Sequence, residues 1–475
     1  MGNADSVVAQ KRLARFRPDE RPVIEGIFDR LRGTGSSVSS AKTGRVLSLE
    51  MLKMTMGKMA SESMIKRVFQ GMHSIDPGVP LSPGDGIIHE QLVIFLADIL
   101  RGTAEERAPL VLAMAEGAKA TATTTEQIRD FMEDLVSAAV QTLAHRGHLR
   151  AWQPDRMGDE PQGVKLLAEQ LTSELKSSDQ NMCDIPCLED WLFRIPAVAM
   201  FLELLIGEGL GVGLPSRPPP TLLPLCRYAP WSDLRCLLNI PLLMFLSPQL
   251  PAGHSAPWRL LFSTNIHGES FTRLVGNCKS KGQTVMLVKD TKGHIFGGFV
   301  SQSWEAKPQF QGEFRKKNYN AYSYALQLIF LLLFALGDSR CFLFSVFPYM
   351  RVFTCTGYND HYMYLNQGQQ TLPNGLGMGG QHGYFGLWLD CDFGHGHSRA
   401  RPLCTTYGSP QLSGDEDFKV DTVEVWGVGQ PPEEQEQDEK KKSILDADPE
   451  VQAMLELTGK TLHSQGLREP EEDEG

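Results

Sequence analysis

One stretch of the chain concentrates side chains that could bind a metal or take part in redox chemistry: Asp390, Cys391, Asp392, His395, His397 and Cys404. Carboxylate, imidazole and thiolate groups are the ligands that zinc and iron take from proteins. The spacing matches no zinc-binding pattern, however, and Gly394 and Gly396 predict an irregular surface loop. The loop around Asp392, His395 and His397 is therefore the only candidate for a metal or redox enzyme. The favoured interpretation has no catalytic residue, no metal ligand and no cofactor.

A glycine-rich pattern, Gly375-x-Gly377-x-Gly379-Gly380, has the composition of a phosphate-binding loop. Such loops lie between a strand and a helix. The residues that follow, 384–389, have the apolar and aromatic content of a strand instead. We therefore predict that these glycines allow close packing against the backbone and bind no phosphate.

The chain begins Met1-Gly2-Asn3-Ala4-Asp5-Ser6, which matches the pattern for attachment of a myristoyl chain to the glycine amine. One such chain binds membranes weakly, so stable anchoring needs a second contact. A basic cluster could supply it: Lys11, Arg12, Arg15 and Arg17. We predict lipidation at Gly2 and contact of residues 1–18 with an anionic membrane surface. A solvated helix face is the alternative for the basic cluster.

The totals limit the class of protein. With 475 residues the chain exceeds the size at which single cores stop growing, about 250 to 300 residues. The net charge of −11 argues against general affinity for nucleic acid. The 9 cysteines include no C-x-x-C pair and are typical of a reducing compartment. We therefore expect several domains, a cytoplasmic location and no nucleic-acid partner.

Residues 19–206 have the apolar spacing of helices, as in Val23, Ile24, Ile27 and Phe28. Within this predicted helical domain, residues 64–100 resemble an EF-hand, in which two helices flank a calcium-binding loop. Aligning Gly86 with the turn glycine of that loop places Ile88 in its apolar position, but Leu92 falls where the chelating glutamate belongs.

The EF-hand-like unit is therefore degenerate, and calcium binding is not expected. The paired helices either offer an apolar groove to a partner helix or form a closed bundle. After them, residues 207–241 are predicted to be a linker with helical pieces, because Gly207, Gly209, Gly211, Gly213 and a run of prolines interrupt any periodic pattern.

From residue 242 short apolar runs alternate with turn residues, which predicts antiparallel sheets. Ordered motifs in this half are similar to those of the TLDc-domain family: Arg259 to Ser263, His267-Gly268, Gly297-Gly298-Phe299, Cys341 to Phe344, Gly375 to Gly380, Tyr384 to Trp388, Tyr407-Gly408-Ser409 and Val423 to Trp426. The resemblance covers residues 242–429. It implies a β-sandwich with flanking helices, giving an α+β multidomain protein.

The resemblance extends in outline to a lipid-anchored member of that family with a helical front half and an acidic tail. It implies a non-enzymatic interaction protein on the cytoplasmic face of the lysosomal membrane. The implied partners are subunits of the vacuolar proton pump and components of mTOR signalling. The alternative is a TLDc enzyme or oxidative-stress protein with a metal or redox site.

Residues 312–336 depart from the family pattern, in which Gln311 would run almost directly into Gly337 and Asp338. The apolar run 325–336 is shorter than the roughly 20 residues that a membrane-spanning helix needs. We hypothesise a retained intron, because removing residues 312–336 restores the family pattern in frame. A genuine loop or a hydrophobic docking hairpin is the alternative.

The tail, residues 430–475, begins with an acidic segment typical of a solvated linker. A short helix is then predicted over 449–463, with Asp448 as its N-cap. Its apolar face presents four residues: Val451, Met454, Leu455 and Leu462. A tethered helix of this length cannot bury that face alone. We therefore predict that it binds a partner, with packing on the TLDc domain as the alternative.

Overall fold

The computed structural model describes residues 6–33, 46–78, 86–176, 181–311, 340–369 and 371–430. Gly2, residues 312–336 and the tail helix at 449–463 lie outside the described residues. Residues 1–429 belong to one compact unit and residues 430–475 to a second, of which only Gln430 is described. The predicted α+β class is confirmed, because helices dominate the first half and mainly antiparallel strands the second.

The first half contains these helices among the described residues: α1 (Val7–Leu13), α2 (Arg21–Gly33), α3 (Leu49–Met56), α4 (Glu62–His73), α5 (His89–Arg101), α6 (Ala104–Glu116), α7 (Thr125–His145), α8 (Glu160–Thr172), α9 (Ile185–Arg194) and α10 (Pro196–Gly209). Several begin at a residue whose side-chain oxygen accepts a hydrogen bond from the first turn, as Ser61 does for α4 and Asp184 for α9. None of the described helices is both long and apolar enough to cross a bilayer.

The helices form helix–loop–helix units that are joined in pairs. The loops before α3 and α5 meet through Leu47 and Ile87, which exchange backbone hydrogen bonds. Strands β1 (Ala122–Thr124) and β2 (Met182–Asp184) join the loops before α7 and α9 in the same antiparallel way. Helix α10 is apolar on most of its surface and packs against α5, α7 and α9. This packing favours a closed bundle over an open groove.

The expected linker at 207–241 requires a correction. Its apolar residues are buried in the same core as the helices and one face of the sheet, including Leu222, Leu223, Trp231 and Leu234. The indole N–H of Trp231 donates to the carbonyl of Ala151 at 3.1 Å. Glycines and prolines prevent regular structure but do not determine exposure, which here follows the apolar side chains.

The second half contains helices α11 (Ile240–Leu246), α12 (Thr264–His267) and α13 (Phe271–Cys278). Its described strands are β3 (Cys226–Tyr228), β4 (Trp258–Ser263), β5 (Thr284–Asp290), β6 (Ile295–Val300), β7 (Lys307–Gln311), β8 (Phe342–Phe347), β9 (Arg351–Thr354), β10 (Met363–Asn366), β11 (Gly375–Gln381), β12 (Tyr384–Asp390), β13 (His395–His397) and β14 (Asp417–Val428). The order β7-β10-β11-β12-β13-β14-β5-β6-β8-β9 is continuous, with β4 also on β14 and β3 on β4.

Strand β14 connects the two halves of this sheet, because its first part pairs with β13 and its second part with β4 and β5. The halves face each other across one core, to which Met286 and Leu343 contribute from one side and Met378 and Leu387 from the other. The expected β-sandwich follows from this packing.

Alternating glycines of β11 lie beneath aromatic rings. A Cβ atom added at Gly377 would lie 2.6 Å from the Phe385 ring and 2.9 Å from Trp388, and one at Gly379 would lie 2.6 Å from Tyr407. The rings of Phe385 and Trp388 stack on each other with centroids 4.6 Å apart. The prediction that these glycines permit close packing is confirmed.

Candidate functional site

Helix α1 follows the predicted lipidation site by five residues. Ser6 is its N-cap and accepts a hydrogen bond from the backbone N–H of Ala9 at 3.3 Å. The Ser6 hydroxyl also donates to the carbonyl of Pro77, in the loop after α4. Ala9 and Phe16 are buried, and the helix packs along α5. The start of the described chain is therefore held against the helical half.

Two of the four predicted membrane-contact residues face the protein. Arg12 Nε lies 2.6 Å from Asp98 Oδ1, and Arg12 Nη1 lies 2.9 Å from Glu106 Oε1. Arg15 donates to both oxygens of Glu106, one of them at 2.7 Å, and Arg15 Nη1 is 3.5 Å from Asp98. Both guanidinium groups therefore have acidic partners on α5 and α6.

The two carboxylates of this cluster differ in environment. Burial raises the pKa of Asp98 to about 6, against the opposing influence of Arg12. The hydrogen bond from Arg15 lowers the pKa of Glu106 to about 2. Glu106 also accepts from the backbone N–H of Thr103 at 3.0 Å, as the final member of a capping box at the start of α6. Glu106 is thus the more firmly ionised partner of the arginines.

The remaining two basic residues, Lys11 and Arg17, are exposed. Lys11 lies on α1 and Arg17 follows that helix, and Val7 and Val8 are exposed on α1, with 65% and 40% of their surface accessible. The surface of α1 that faces away from the protein is therefore apolar at its start and basic one turn later. Membrane contact by the basic cluster stays a prediction.

The loop between α8 and α9 can be compared with a calcium-binding EF-hand loop. Asn181 has a positive φ of 56°, as the turn glycine at position 6 of such a loop does. This alignment places Lys176 at position 1 and Cys187 at position 12, where calcium loops carry acidic ligands. The Cys187 thiol donates to the Lys176 carbonyl at 3.3 Å. A direct hydrogen bond thus joins the two ends that a metal ion would otherwise connect.

The loop before α5 corrects the sequence alignment by one residue. Ile87, and not Ile88, is the buried residue that pairs with Leu47, since Ile88 is the N-cap of α5. The final loop position is then Gln91, and not Leu92. The Gln91 side chain accepts from the Ile88 N–H at 3.1 Å and donates to the Ile75 carbonyl at 3.0 Å. An amide makes these contacts where a calcium loop has its glutamate.

The histidine-containing loop forms one wall of a cleft of about 350 Å³ on the sandwich. His395 Nδ1 is 2.9 Å from Asp392 Oδ2, and this contact lowers the pKa of Asp392. The His397 ring stacks on Trp388 with centroids 5.8 Å apart. Burial, with a smaller contribution from Arg399, lowers the pKa of His397 to about 4. Within the described part of the chain, no three potential ligands are grouped as a metal site would require.

A buried carboxylate at the contact between the helical half and the sheet was not predicted. Glu424 on β14 is fully buried and accepts from the Leu237 N–H at 2.9 Å. Its other oxygen accepts from the Trp426 indole and the Cys236 thiol, each at 3.2 Å. Burial raises the pKa of Glu424 to about 7. Its only sequence signal is a charge within the apolar run Val423 to Val428.

A family model described as the TLDc domain matches residues 232–317 and 334–429. The match begins ten residues before the boundary predicted at 242 and leaves out residues 318–333, which lie inside the segment 312–336 that departs from the pattern. The strands of the sandwich among the described residues, from β4 to β14, all fall within the matched ranges.

Similarity to known proteins extends over the whole chain. The MTOR-associated protein MEAK7 of Danio rerio is 80% identical over 474 residues, and that of Homo sapiens is 41% identical over 486 residues. Both alignments cover 100% of this chain and 100% of the relative. Nuclear receptor coactivator 7 of Homo sapiens is 31% identical over 183 residues, which is 38% of this chain and 16% of that protein.

Proposed function

The chain belongs to the family of the MTOR-associated protein MEAK7, and from that premise we propose that it is a non-enzymatic, lipid-anchored interaction protein of the lysosomal membrane. It binds subunits of the vacuolar proton pump and supports mTOR signalling from the cytoplasmic face. The observation that carries this proposal is the end-to-end similarity to relatives whose name associates them with mTOR.

The described geometry of the histidine cleft supports an interaction role over catalysis. His397 packs against Trp388 with its pKa lowered to about 4, and the exposed pair of His395 and Asp392 has no third potential metal ligand grouped with it among the described residues. Metal analysis of the purified full chain tests the alternative. Stoichiometric zinc or iron would favour an enzyme or oxidative-stress protein over the proposed function.

In this proposal the helical half is a calcium-independent scaffold built from EF-hand-like pairs. Two observations support it: the hydrogen bond that joins Cys187 to Lys176, and the position of Gln91 at the end of its loop. Helix α10 packs between the pairs, as a target helix does in the groove of a calcium sensor. The partner-binding surfaces are therefore sought outside this groove.

The tail helix at 449–463 is the proposed partner-binding element, through its apolar face at Val451, Met454, Leu455 and Leu462. Leu455→Asp should abolish capture of the proton pump and leave the melting temperature of the protein unchanged. Gln452→Asp is the matched control, because it adds the same charge beside that face. A lower melting temperature with pump capture intact would show that the helix packs on its own protein instead.

The anchor is tested with Gly2→Ala in cells. The parent protein should sediment with lysosomes, and the variant should be released to the cytosol, because the myristoyl chain supplies most of the membrane affinity. Equal retention of the two proteins on lysosomes would contradict the proposed anchoring. Pump capture with and without the residues after Lys442 then tests partner binding separately.

A further inference from the structure

The orientation of α1 separates the basic cluster into two groups. Arg12 and Arg15 point toward Asp98 and Glu106, and the exposed fractions of these two arginine side chains are 26% and 31%. Val7 and Lys11 are one turn apart on the opposite side, where both are exposed. Val8 is exposed beside them.

Exposed valines need an explanation at this position. An isolated exposed valine is ordinary, but Val7 and Val8 are adjacent and lie five and six residues after Gly2. A chain anchored at Gly2 would keep these side chains within a few residues' length of the bilayer surface. Apolar groups followed by a lysine are the arrangement of a helix that lies in a membrane interface.

We propose that the outer face of α1, formed by Val7, Val8 and Lys11, is the surface that contacts an anionic bilayer, whereas Arg12 and Arg15 fix the orientation of that face. This assignment rests on the proposed lipidation of Gly2 and names the residues that add to the membrane affinity of the lipid. The valines enter the interface, and the Lys11 ammonium contacts anionic headgroups. Because α1 is held on α5 and α6, the helical half approaches the membrane in one orientation.

The experiment uses the full chain, myristoylated by coexpression with the transferase, and vesicles of phosphatidylcholine with or without phosphatidylserine. Val7→Asp/Val8→Asp should weaken binding to both kinds of vesicle about tenfold, since two apolar contacts are replaced by charges. The control Met54→Asp/Phe193→Asp adds the same charges at exposed apolar positions, 61% and 79% accessible, and should bind as the parent does.

Charge reversal tests the polar part of the face. Lys11→Glu should weaken binding about tenfold on vesicles with phosphatidylserine and have little effect without it. Arg12→Gln/Arg15→Gln should lower the melting temperature and weaken binding to phosphatidylserine vesicles less than Lys11→Glu does, because the two arginines are paired with Asp98 and Glu106 behind the contact face. A loss with the arginine variant that exceeds the loss with Lys11→Glu would overturn the assignment.

The outcomes separate this inference from the proposed function. If Gly2→Ala loses vesicle binding while Val7→Asp/Val8→Asp binds as the parent does, the anchor stands and the contact face is wrong. If Gly2→Ala binds as tightly as the parent, the lipid anchor itself is wrong. Melting temperatures of the valine variants confirm that they are folded, and Val7→Asp alone serves if the double variant is not.

Discussion

The buried carboxylate of Glu424 should make the stability of the protein fall as the pH rises. Its pKa in the folded protein is about 7, against an ordinary value of 4.5. The folded state therefore binds the proton more tightly than the unfolded state does. The resulting stabilisation is complete below pH 4.5 and is lost as the pH rises through 7. Between pH 5 and pH 8 the difference between the folded and unfolded pKa values of Glu424 corresponds to a loss of about 2 to 3 kcal/mol of unfolding free energy.

The substitution Glu424→Gln removes this titration and keeps a side chain of similar size. The amide oxygen can still accept the hydrogen bond from Leu237, whereas the amide N–H group has to face Cys236 or the indole of Trp426. This change of hydrogen-bond partners alters the unfolding free energy by an amount that does not depend on pH. The diagnostic quantity is therefore the change with pH in the difference between variant and parent. The variant should gain about 2 to 3 kcal/mol relative to the parent between pH 5 and pH 8.

Urea denaturation followed by tryptophan fluorescence is a suitable assay. Trp152 contacts the rings of Trp231, Trp258 and Trp426, and Trp426 donates to Glu424, so the probe reports on the same region. Glu126→Gln, at a side chain with 72% exposure, is the control and should follow the parent at every pH. Parallel curves for the parent and Glu424→Gln would refute the reasoning, because they would show that Glu424 does not titrate in this interval.

Three further outcomes are expected. Glu106→Gln should lower the unfolding free energy by about 2 kcal/mol at pH 7, because the pKa of this glutamate is depressed to about 2 in the folded protein. The difference from the parent should shrink as the pH falls from 4.5 toward 2. Urea denaturation at a series of pH values measures the difference and its change with pH. Gly377→Ala should lower the unfolding free energy by about 1 to 3 kcal/mol, because the added Cβ forces the aromatic rings above it to move. At Gly394 an added Cβ would have no neighbour within 4 Å, so Gly394→Ala should change the unfolding free energy by less than about 0.5 kcal/mol. Millimolar calcium should leave the melting temperature of the parent unchanged. It should raise the melting temperature of Lys176→Asp/Cys187→Glu, because this variant has acidic residues at both ends of the loop between α8 and α9. A calcium-dependent rise in the parent would contradict the proposal that the helical half does not bind calcium.

Much of the architecture could be read from local patterns. Helical spacing in the first half and alternation in the second predicted the α+β class, because each pattern depends on residues a few positions apart. The glycines of β11 were assigned to close packing because the residues that follow them have strand character. The alignment error at Ile88 has the same origin, since a shift of one residue in a short loop changes little in a local pattern. Only the pairing with Leu47 shows which isoleucine is buried.

The sequence by itself determined the class of fold and the resemblance to the TLDc domain, because composition and short-range spacing encode these properties, and it predicts which residues carry a lipid or contact a membrane. Tertiary structure decided which of those residues are available. Arg12 and Arg15 meet Asp98 and Glu106 across more than 80 positions of sequence, and Glu424 meets Leu237 across 187. Ionisation and exposure depend on the groups that folding brings within a few ångströms, and local spacing does not report that distance.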